Sequence, residues 1–399
     1  MTRPSLSKIE NDLTLDREQL RTIASTLRDR ILEGFAKPNC EIKVLPTYLP
    51  PPAPHLTGRA IVVDTGGTNM RAALVDLDGQ GKIRIVRGPR KKPVPSGRGG
   101  KPIPGDAFFD AQAALVAEVE PDPNCPVGYC FSYPAESLPD RDARLIRWTK
   151  GLRIEGVEGS PVGARLKEAI ERRGVQTGPV AVINDTVASL LGGYAVHRSA
   201  MFSNFIGVIV GTGTNMAGFF PVSRLTKLDP GDLEPTMAVN LESGNFSPPY
   251  LSSLDEALDR SSNNPGAQRF EKAVSGYYLP FLFREACPDA PGFDPAEGSA
   301  RLVEFKDRAD DSRECLAATL ILQRSADLVA AALVAVAQVY ESEGPIAICA
   351  EGTLILKSPG FQVRVIKTFE QLTGGQTVRV VSADDVNLVG AACAALIPR

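Results

Sequence analysis

The chain has 399 residues, of which 43% are apolar and 23% are charged, and its formal net charge is -3. This composition is typical of a soluble globular protein with about two domains, and the charge gives no general attraction to nucleic acid or to an anionic membrane. Seven cysteines without a C-x-x-C pair, and only two histidines, predict reduced thiols in a cytoplasmic protein and no zinc site of ordinary composition.

The first elements along the chain are a helix and an extended connector. The segment REQLRTIASTLRDRILEGF, from Arg17 to Phe35, has apolar residues at helical spacing, which predicts a helix. The segment LPTYLPPPAPH, from Leu45 to His55, is too rich in proline for a helix and predicts extended backbone. The residues before the helix carry acids and lack an apolar core, so we expect no signal or transit peptide.

Two apolar runs joined by a glycine turn follow in AIVVDTGGTNMRAALVDLDGQG, residues 60 to 81. The pattern predicts two strands, and it matches neither a Walker loop nor a dinucleotide-binding loop, because each of those opens a helix. An ordinary glycine hairpin accounts for this stretch on its own. The alternative is a turn whose backbone N–H groups face an anion, with Asp64 facing a hydrated cation.

A basic stretch rich in glycine and proline comes next, RGPRKKPVPSGRGGKPIPG, from Arg87 to Gly105. Its composition predicts a solvated, mobile loop. Binding of an anion or of RNA is the alternative, and it is disfavoured because the stretch has no aromatic residues on which bases would stack.

Two later runs follow the same plan of a strand that ends in polar residues. PVAVIND, from Pro179 to Asp185, predicts a buried strand, and the helical segment TVASLLGGYAV follows it. FIGVIVGTGTNMAGFF, from Phe205 to Phe220, predicts a strand, a glycine turn and a second strand, as in the opening motif. The chain therefore has the pattern of two related α/β lobes with ligand groups at the strand ends.

The second half of the chain is predicted to be richer in helix. NPGAQRFEKAVSGYYLPFLFREA and LAATLILQRSADLVAAALVAVAQVYES have helical spacing, and the longest apolar run, Leu328 to Tyr340, is too short to span a bilayer. A strand PIAICA, a glycine turn at Glu351-Gly352-Thr353, a helix PGFQVRVIKTFEQLTG, a strand TVRVVSA and a short helix complete the chain. Glycine turns thus recur at residues 66, 211 and 352.

Taken together, these motifs resemble the hexokinase family of the actin-like ATPase superfamily from about residue 60 to residue 398. The motifs that carry the resemblance, in the family's order, are VVDTGGTNMRAALV, FSYP, WTKG, VINDTVASLLGGY, IGVIVGTGTNMA, NLESGNF, NNPGAQRFEKAVSGYYL and AEGTLILKSPGF. The resemblance implies a two-lobed α/β fold of the actin-like ATPase, or ribonuclease H-like, type with a cleft between the lobes.

The resemblance also implies a division of the chain into four parts. Residues 1–58 would be an N-terminal helix and connector that pack on the large lobe, and residues 59–199 the small lobe. Residues 200–383 would be the large lobe, and residues 384–399 a C-terminal helix that returns to the small lobe.

The resemblance assigns catalytic roles to Asp185, Lys150 and Arg71. Phosphoryl transfer to a sugar needs a carboxylate that accepts the hydroxyl proton, and Asp185 matches the family's base. From the residues alone, the Asn-Asp-Thr run at this place also fits a helix cap, and Arg71 also fits a solvated strand residue.

Two sets of binding residues carry over by resemblance. The sugar pocket would be formed by Ser132, Thr149, Lys150, Asn184, Asp185, Asn215, Glu242 and Glu271. The nucleotide site would be formed by Asp64, Gly66, Gly67, Thr68, Asn69, Arg71, Gly211, Thr212, Gly213, Gly352 and Thr353, with Asp64 acting on Mg²⁺ through water. Taken singly, Ser132 also fits a turn, Glu242 a surface acid and Glu271 a helical surface position.

The implied function is phosphorylation of a hexose, D-glucose first, at the 6-hydroxyl with ATP and Mg²⁺, as the first step of glycolysis. The implied protein is a cytoplasmic monomer or homodimer that has neither nucleic acid nor a membrane as partner. A catalytically silent sugar-binding regulator with the same fold is the alternative. A DNA-binding regulator would need an added helix-turn-helix segment, and a filament former has no use for sugar ligands.

Four features depart from the family's pattern. Ser243 follows Glu242 where many relatives have tryptophan, and Glu351 stands where they usually have aspartate. The closing segment SADDVNLVGAACAAL lacks the Gly-Ser-Gly of the family, and the stretch from Pro291 to Glu314 is short. These departures concern the rim of the sugar pocket and the nucleotide pocket, so they leave the range of sugars and nucleotides open.

Overall fold

The computed structural model describes residues 5–198 and 201–399, which form fifteen β-strands and thirteen α-helices. The strands are β1 (Leu45–Pro46), β2 (Gly58–Thr65), β3 (Asn69–Leu77), β4 (Ile83–Pro93), β5 (Ile103–Pro104), β6 (Cys125–Phe131), β7 (Ala135–Ser137), β8 (Ala143–Leu145), β9 (Ile154–Glu155), β10 (Thr177–Ile183), β11 (Asn204–Val210), β12 (Thr214–Pro221), β13 (Thr236–Asn240), β14 (Ile346–Glu351) and β15 (Val378–Val381). The α-helices are α1 (Leu6–Leu13), α2 (Arg17–Ala36), α3 (Gly105–Glu118), α4 (Val162–Arg172), α5 (Asp185–His197), α6 (Ser253–Ser261), α7 (Arg269–Val274), α8 (Leu279–Ala286), α9 (Ser299–Asp307), α10 (Arg313–Tyr340), α11 (Thr353–Lys357), α12 (Phe361–Thr373) and α13 (Val386–Leu396). Short 3₁₀ helices lie at Val222–Arg224, Ser243–Asn245 and Pro295–Glu297.

Two sheets with the same plan organise these elements. The first sheet has the strand order β10-β6-β2-β3-β4, in which β2, β3 and β4 are antiparallel neighbours and β2, β6 and β10 are parallel. The second sheet has the order β1-β13-β12-β11-β14-β15, in which β11, β12 and β13 are antiparallel and β11, β14 and β15 are parallel. The predicted α/β class and both predicted hairpins are confirmed.

The apolar runs of the sequence become the central strands because both of their faces are covered. In β2 the run from Ala60 to Val63 is completely buried, and its two faces belong to different hydrophobic clusters. A run without alternation of polar residues is what a strand covered on both faces requires. The polar residues that end each run therefore lie at the sheet edge.

Helices α5 and α13 join the two halves of the fold. Helix α13 follows β15 of the second sheet, but it packs on α5 and on strands β2 and β6 of the first sheet. These contacts bring backbones together, because a Cβ on Gly390 would overlap the carbonyl of Ala188, and one on Gly128 would overlap the carbonyl of Ala391. The predicted lobe boundaries stay a prediction, and the one between residues 199 and 200 lies outside the described residues.

Helix α10 is the long core helix of the second half. It is long and apolar enough to cross a membrane by length and composition, and 89% of its most apolar window is buried inside the protein. The apolar run from Leu328 to Tyr340 was predicted to be too short to span a bilayer. The helix as a whole is long enough, because it begins at Arg313. Helix α2 packs against α10, so the N-terminal helix lies on this half of the fold.

Two predictions of local structure were wrong in part. The basic stretch is not a loop throughout, because β4 extends to Pro93 and pairs with β3 as the edge strand of the first sheet. An edge strand pairs on one side only, so it tolerates charged residues and prolines.

The predicted helix from Asn264 to Ala286 is two short helices, α7 and α8, separated by residues 275–278. Two backbone N–H groups of this interruption, those of Gly276 and Tyr277, donate to carbonyls outside both helices.

We expect Gly128→Ala to lower the free energy of unfolding by about 1–3 kcal/mol, because the added methyl group forces β6 and α13 apart. Gly100→Ala is the matched control, since no atom lies within 4 Å of a Cβ at that exposed turn. Urea unfolding of both variants measures the difference. Equal midpoints for the two variants would contradict the backbone contact between β6 and α13.

Candidate active site

The first glycine turn joins β2 to β3. Its backbone is closed by the Gly66 N–H, which donates to the Asn69 carbonyl at 3.1 Å. Asp64 and Arg71 are directly opposite in the β2–β3 register, and Arg71 Nε donates to Asp64 Oδ2 at 2.9 Å. The hairpin thus places one carboxylate and one guanidinium beside the turn, while Thr68 and Asn69 are exposed at its tip.

Lys150 lies over the first glycine turn. A Cβ on Gly67 would be 2.8 Å from Lys150 Cδ, so the absent side chain makes room for the lysine stem. Lys150 Nζ donates to the Ser132 carbonyl at 2.8 Å and lies 5.5 Å from the centre of the Tyr133 ring. Thr149 precedes it in a turn, and its carbonyl accepts from the Leu152 N–H at 3.2 Å. Ser132, Thr149 and Lys150 therefore form one group beside the turn.

Arg98 is a residue at this turn that the sequence did not indicate. Its Nη2 donates to the Gly67 carbonyl at 2.6 Å and also to the Lys150 carbonyl, so it ties the glycine turn to the lysine loop. The surrounding segment is held alongside this loop by the parallel pair β5–β9. Nothing in the basic stretch distinguishes Arg98 from its neighbours, since its acceptors are distant in the sequence.

The second and third glycine turns touch each other. Gly211 N–H donates to the Gly213 carbonyl at 3.0 Å, and a Cβ on Gly211 would be 3.2 Å from Gly352 Cα. Gly352 has φ of 109°, a conformation that favours glycine, and Thr353 begins α11, a short helix that the sequence did not predict.

The interruption between α7 and α8 holds the second turn from behind. The Gly276 N–H donates to the Gly211 carbonyl at 2.7 Å, and the Tyr277 N–H donates to the Thr212 carbonyl at 3.4 Å. These two hydrogen bonds tie the interruption of the predicted helix to the second glycine turn.

Asn184 and Asp185 occupy the start of α5. Asn184 is the cap residue, and its Oδ1 accepts from the Thr186 N–H at 2.9 Å. Asp185 Oδ1 accepts from the same N–H at 2.9 Å, while its Oδ2 has no hydrogen bond among the described residues. The cap interpretation therefore applies to Asn184 and leaves one Asp185 oxygen available for chemistry.

A chain of side-chain amides links this helix start to Glu242. Asn215 Nδ2 donates to Asn184 Oδ1 at 3.4 Å and to Asn240 Oδ1 at 2.7 Å. Asn240 Nδ2 in turn donates to Glu242 Oε1 at 2.8 Å. Asn184 follows β10 of the first sheet and Asn215 lies in β12 of the second, so the chain crosses between the sheets. Asn240 was missed, although it stands two residues before a predicted ligand.

Glu271 lies beside the second glycine turn. Its Oε2 accepts from the Thr214 N–H at 3.1 Å, and its Oε1 accepts from Gln268 Nε2 at 3.0 Å. Burial raises the pKa of Glu271 to about 7, and the negative charge of Glu242 adds to that rise. Burial likewise raises the pKa of Glu242, which also senses the charge of Asp185. Three carboxylates thus share one partly buried region.

The carboxylates near the glycine turns fit a Mg²⁺ ion that is bound together with a nucleotide. They do not form a site that would hold the ion by protein ligands alone. Among residues 5–198 and 201–399, no group of three or more His, Cys, Asp or Glu side chains is arranged to hold a metal ion. Mg²⁺ keeps several waters and is usually bound by one or two carboxylates together with phosphates. Asp64, a single carboxylate beside the first glycine turn, fits that role.

A separate cavity of about 600 Å³ opens at the other end of the second sheet. Aromatic residues line much of it, among them Tyr194, Phe205, Phe219 and Tyr340. None of the predicted ligands lines this cavity, so it is distinct from the region where the polar groups converge.

Comparisons with known proteins agree over nearly the whole chain. Two family models described as hexokinase match, one at residues 5–194 and the other at residues 205–291 and 299–397. The chain is 33% identical over 294 residues to Hexokinase-2 of Candida albicans, covering 70% of this chain. It is 30% identical over 439 residues to Hexokinase-2 of Homo sapiens, covering 95% of this chain. The alignments span 60% and 46% of those two proteins' own lengths.

The fold is also similar to that of a solved structure. The hexokinase from Schistosoma mansoni complexed with glucose has a TM-score of 0.81 to this chain at 25% sequence identity. The superposition covers 98% of each chain.

We expect Glu271→Gln to change how stability depends on pH. The pKa of Glu271 is raised from 4.5 to about 7 in the folded protein, so the folded state keeps this proton when the unfolded state has lost it. Glu271 makes its whole contribution to the free energy of unfolding below about pH 4.5, and this contribution is lost as the pH rises to about 7. The wild-type free energy of unfolding, relative to that of the variant, should fall by on the order of 2 kcal/mol across this range.

Urea unfolding at several pH values between 4.5 and 8 measures this difference. Glu370→Gln, at an exposed position of α12, is the control and should run parallel to the wild type. Parallel curves for wild type and Glu271→Gln would mean that Glu271 ionises in the folded protein as it does in the unfolded chain.

Proposed function

The chain belongs to the hexokinase family, and from that premise we propose that it transfers the γ-phosphoryl group of ATP to the 6-hydroxyl of a hexose. D-Glucose is the first candidate substrate, the products are hexose 6-phosphate and ADP, and the step is the first of glycolysis. One observation carries the proposal. Amides and carboxylates from distant segments converge beside the glycine turns, and one oxygen of Asp185 has no hydrogen-bond donor within residues 5–198 and 201–399.

The amide and carboxylate cluster suits a ring of hydroxyl groups. A sugar hydroxyl both donates and accepts, so its site needs acceptors and donors in alternation. Asn184 and Asn215 supply both kinds of group. Each oxygen of Glu271 already accepts one hydrogen bond from the protein and keeps a lone pair for a sugar hydroxyl. We assign Ser132, Thr149 and Lys150 to the opposite wall of the same pocket.

Asp185 is the base in the proposed reaction. As the 6-oxygen forms its bond to phosphorus, Asp185 accepts the hydroxyl proton, and the bond from the γ-phosphorus to the bridging oxygen breaks to release ADP. The hydrogen bond from the Thr186 N–H to Asp185 Oδ1 restrains rotation of the carboxylate group, so its other oxygen keeps one orientation. Positioning supplies much of the rate in this type of reaction.

The phosphates are assigned to the positive side of the cleft. Backbone N–H groups of the two glycine turns face the anion, while Lys150 and Arg71 offset charge on the transferring group. Mg²⁺, held through water by Asp64, would neutralise phosphate charge. Gly352 and Thr353 are assigned to the nucleoside end. Closure of the cleft around the sugar would expel water, which competes as an acceptor.

We further propose that the protein acts in the cytoplasm as a monomer or homodimer, without nucleic acid or membrane as partner. The seven cysteines include no C-x-x-C pair, which suits a compartment that keeps thiols reduced. The net charge of -3 offers no attraction to polyanions.

We expect Asp185→Asn to lower kcat by about 10²- to 10⁴-fold, because asparagine accepts the Thr186 hydrogen bond but does not take up a proton. The measurement is ADP release with ATP and Mg²⁺ over glucose, mannose, fructose and N-acetylglucosamine, with an arm lacking Mg²⁺. Thermal unfolding should be unchanged in the variant, which should still bind glucose through the other residues of the pocket. Asp232→Asn, at an exposed loop position, is the control and should keep full turnover.

Wild-type protein that binds glucose without releasing ADP for any sugar would refute the proposed transfer. The sugar-binding regulator would then be the better account. Full turnover in Asp185→Asn would instead remove Asp185 from the role of base while leaving the transfer reaction in place.

A further inference from the structure

Arg71 is held by two carboxylates in the structure. Besides the bond from its Nε to Asp64, its Nη1 donates to Asp385 Oδ1 at 2.7 Å. Asp385 lies far along the chain, at the residue immediately before α13. The guanidinium assigned to the transferring phosphoryl group is therefore already occupied by an acid from the C-terminal segment.

Asp385 is turned away from the helix that it precedes. An aspartate at this position normally accepts a hydrogen bond from the first turn of its own helix. Here the backbone carbonyl accepts from the Leu388 and Val389 N–H groups, but the side chain makes no bond to the helix. Its φ of 53° lies in the left-handed region, which aspartate tolerates. The carboxylate is used for Arg71 and not as a cap.

The pair also lies where the chain crosses between the sheets. Strand β15 ends at Val381 in the second sheet, and α13 begins at Val386 against the first sheet. The side chain of Asp385 is 41% exposed, whereas that of Asp64 is 16% exposed. Of the two acids on Arg71, Asp385 is thus the one that water and an incoming ligand reach more easily.

We propose that Asp385 competes with the nucleotide phosphate for Arg71 and thereby sets the affinity for MgATP. This inference rests on the proposed function, in which Arg71 faces the phosphates. Asp385 opposes nucleotide binding in two ways, because it occupies the Nη1 donor and because its charge repels phosphate. Binding exchanges the carboxylate for a phosphate oxygen on the same guanidinium. Asp64 is no competitor, since it is assigned to the ion that accompanies the phosphates.

The test compares Asp385→Asn with Asp384→Asn. Both variants remove one negative charge at neighbouring exposed positions, but only Asp385 contacts Arg71. Asparagine accepts the left-handed conformation as readily as aspartate, so the backbone is preserved. The affinity for a non-hydrolysable ATP analogue with Mg²⁺ is measured by calorimetric titration, beside KM for MgATP, kcat and thermal unfolding.

We expect Asp385→Asn to bind the analogue about two- to fivefold more tightly, the range given by the loss of an exposed ion pair. KM for MgATP should fall with it, kcat should change less than twofold, and Asp384→Asn should match the wild type. Asp385→Glu, which keeps the charge, should return the affinity toward the wild-type value.

Weaker binding by Asp385→Asn, or equal effects of both asparagine variants, would overturn the inference. The first result would make Asp385 a support that aims Arg71 at the phosphate, and the second would leave only a general charge effect. The titration does not need turnover, so its outcome is separate from that of the proposed function. Tighter binding by Asp385→Asn without sugar-dependent ADP release would support the competition for Arg71 and refute the proposed phosphoryl transfer. If neither the wild type nor any variant binds the nucleotide, both proposals are overturned.

Discussion

The arrangement of the site depends on one constraint, which is that helix α5 contacts its neighbours backbone to backbone. A Cβ on Gly207 of β11 would be 2.7 Å from the Thr186 carbonyl, and Gly192 and Gly390 bring α5 against α13 in the same way. Such contacts leave no room for sliding, because interiors are packed as densely as crystals. The start of α5, with Asn184 and Asp185, is thereby fixed relative to the end of β11, where the second glycine turn begins.

The cleft that results is divided by charge. Asp185, Glu242 and Glu271 lie on the side of the amide chain, and the pKa rise of the two glutamates reflects how poorly this region solvates negative charge. The cations Lys150, Arg71 and Arg98 surround the first glycine turn on the other side. A neutral polyol suits the first side and a polyphosphate suits the second. Asp185 belongs to the carboxylate side but stands where the two sides meet.

Much of this architecture could be predicted because it depends on local sequence patterns. The buried runs of β2 and β11 lack polar alternation, each ends at glycines, and the resemblance to the hexokinase family correctly implied the two-lobed actin-like ATPase fold. What was missed depends on distant contacts. The contacts that Gly276 and Tyr277 make with the second glycine turn, and the two acceptors of Arg98, all lie far away in the sequence. The catalytic and binding roles given to the site residues stay predictions.

The break behind the second glycine turn has a consequence for the peptide planes of that turn. In a trans peptide the carbonyl of one residue and the N–H of the next point in opposite directions. Because Gly276 and Tyr277 hold the carbonyls of Gly211 and Thr212 on one side, the N–H groups of Thr212 and Gly213 are turned to the other. The amide dipoles are thus oriented during folding, and an anion that arrives does not have to order them.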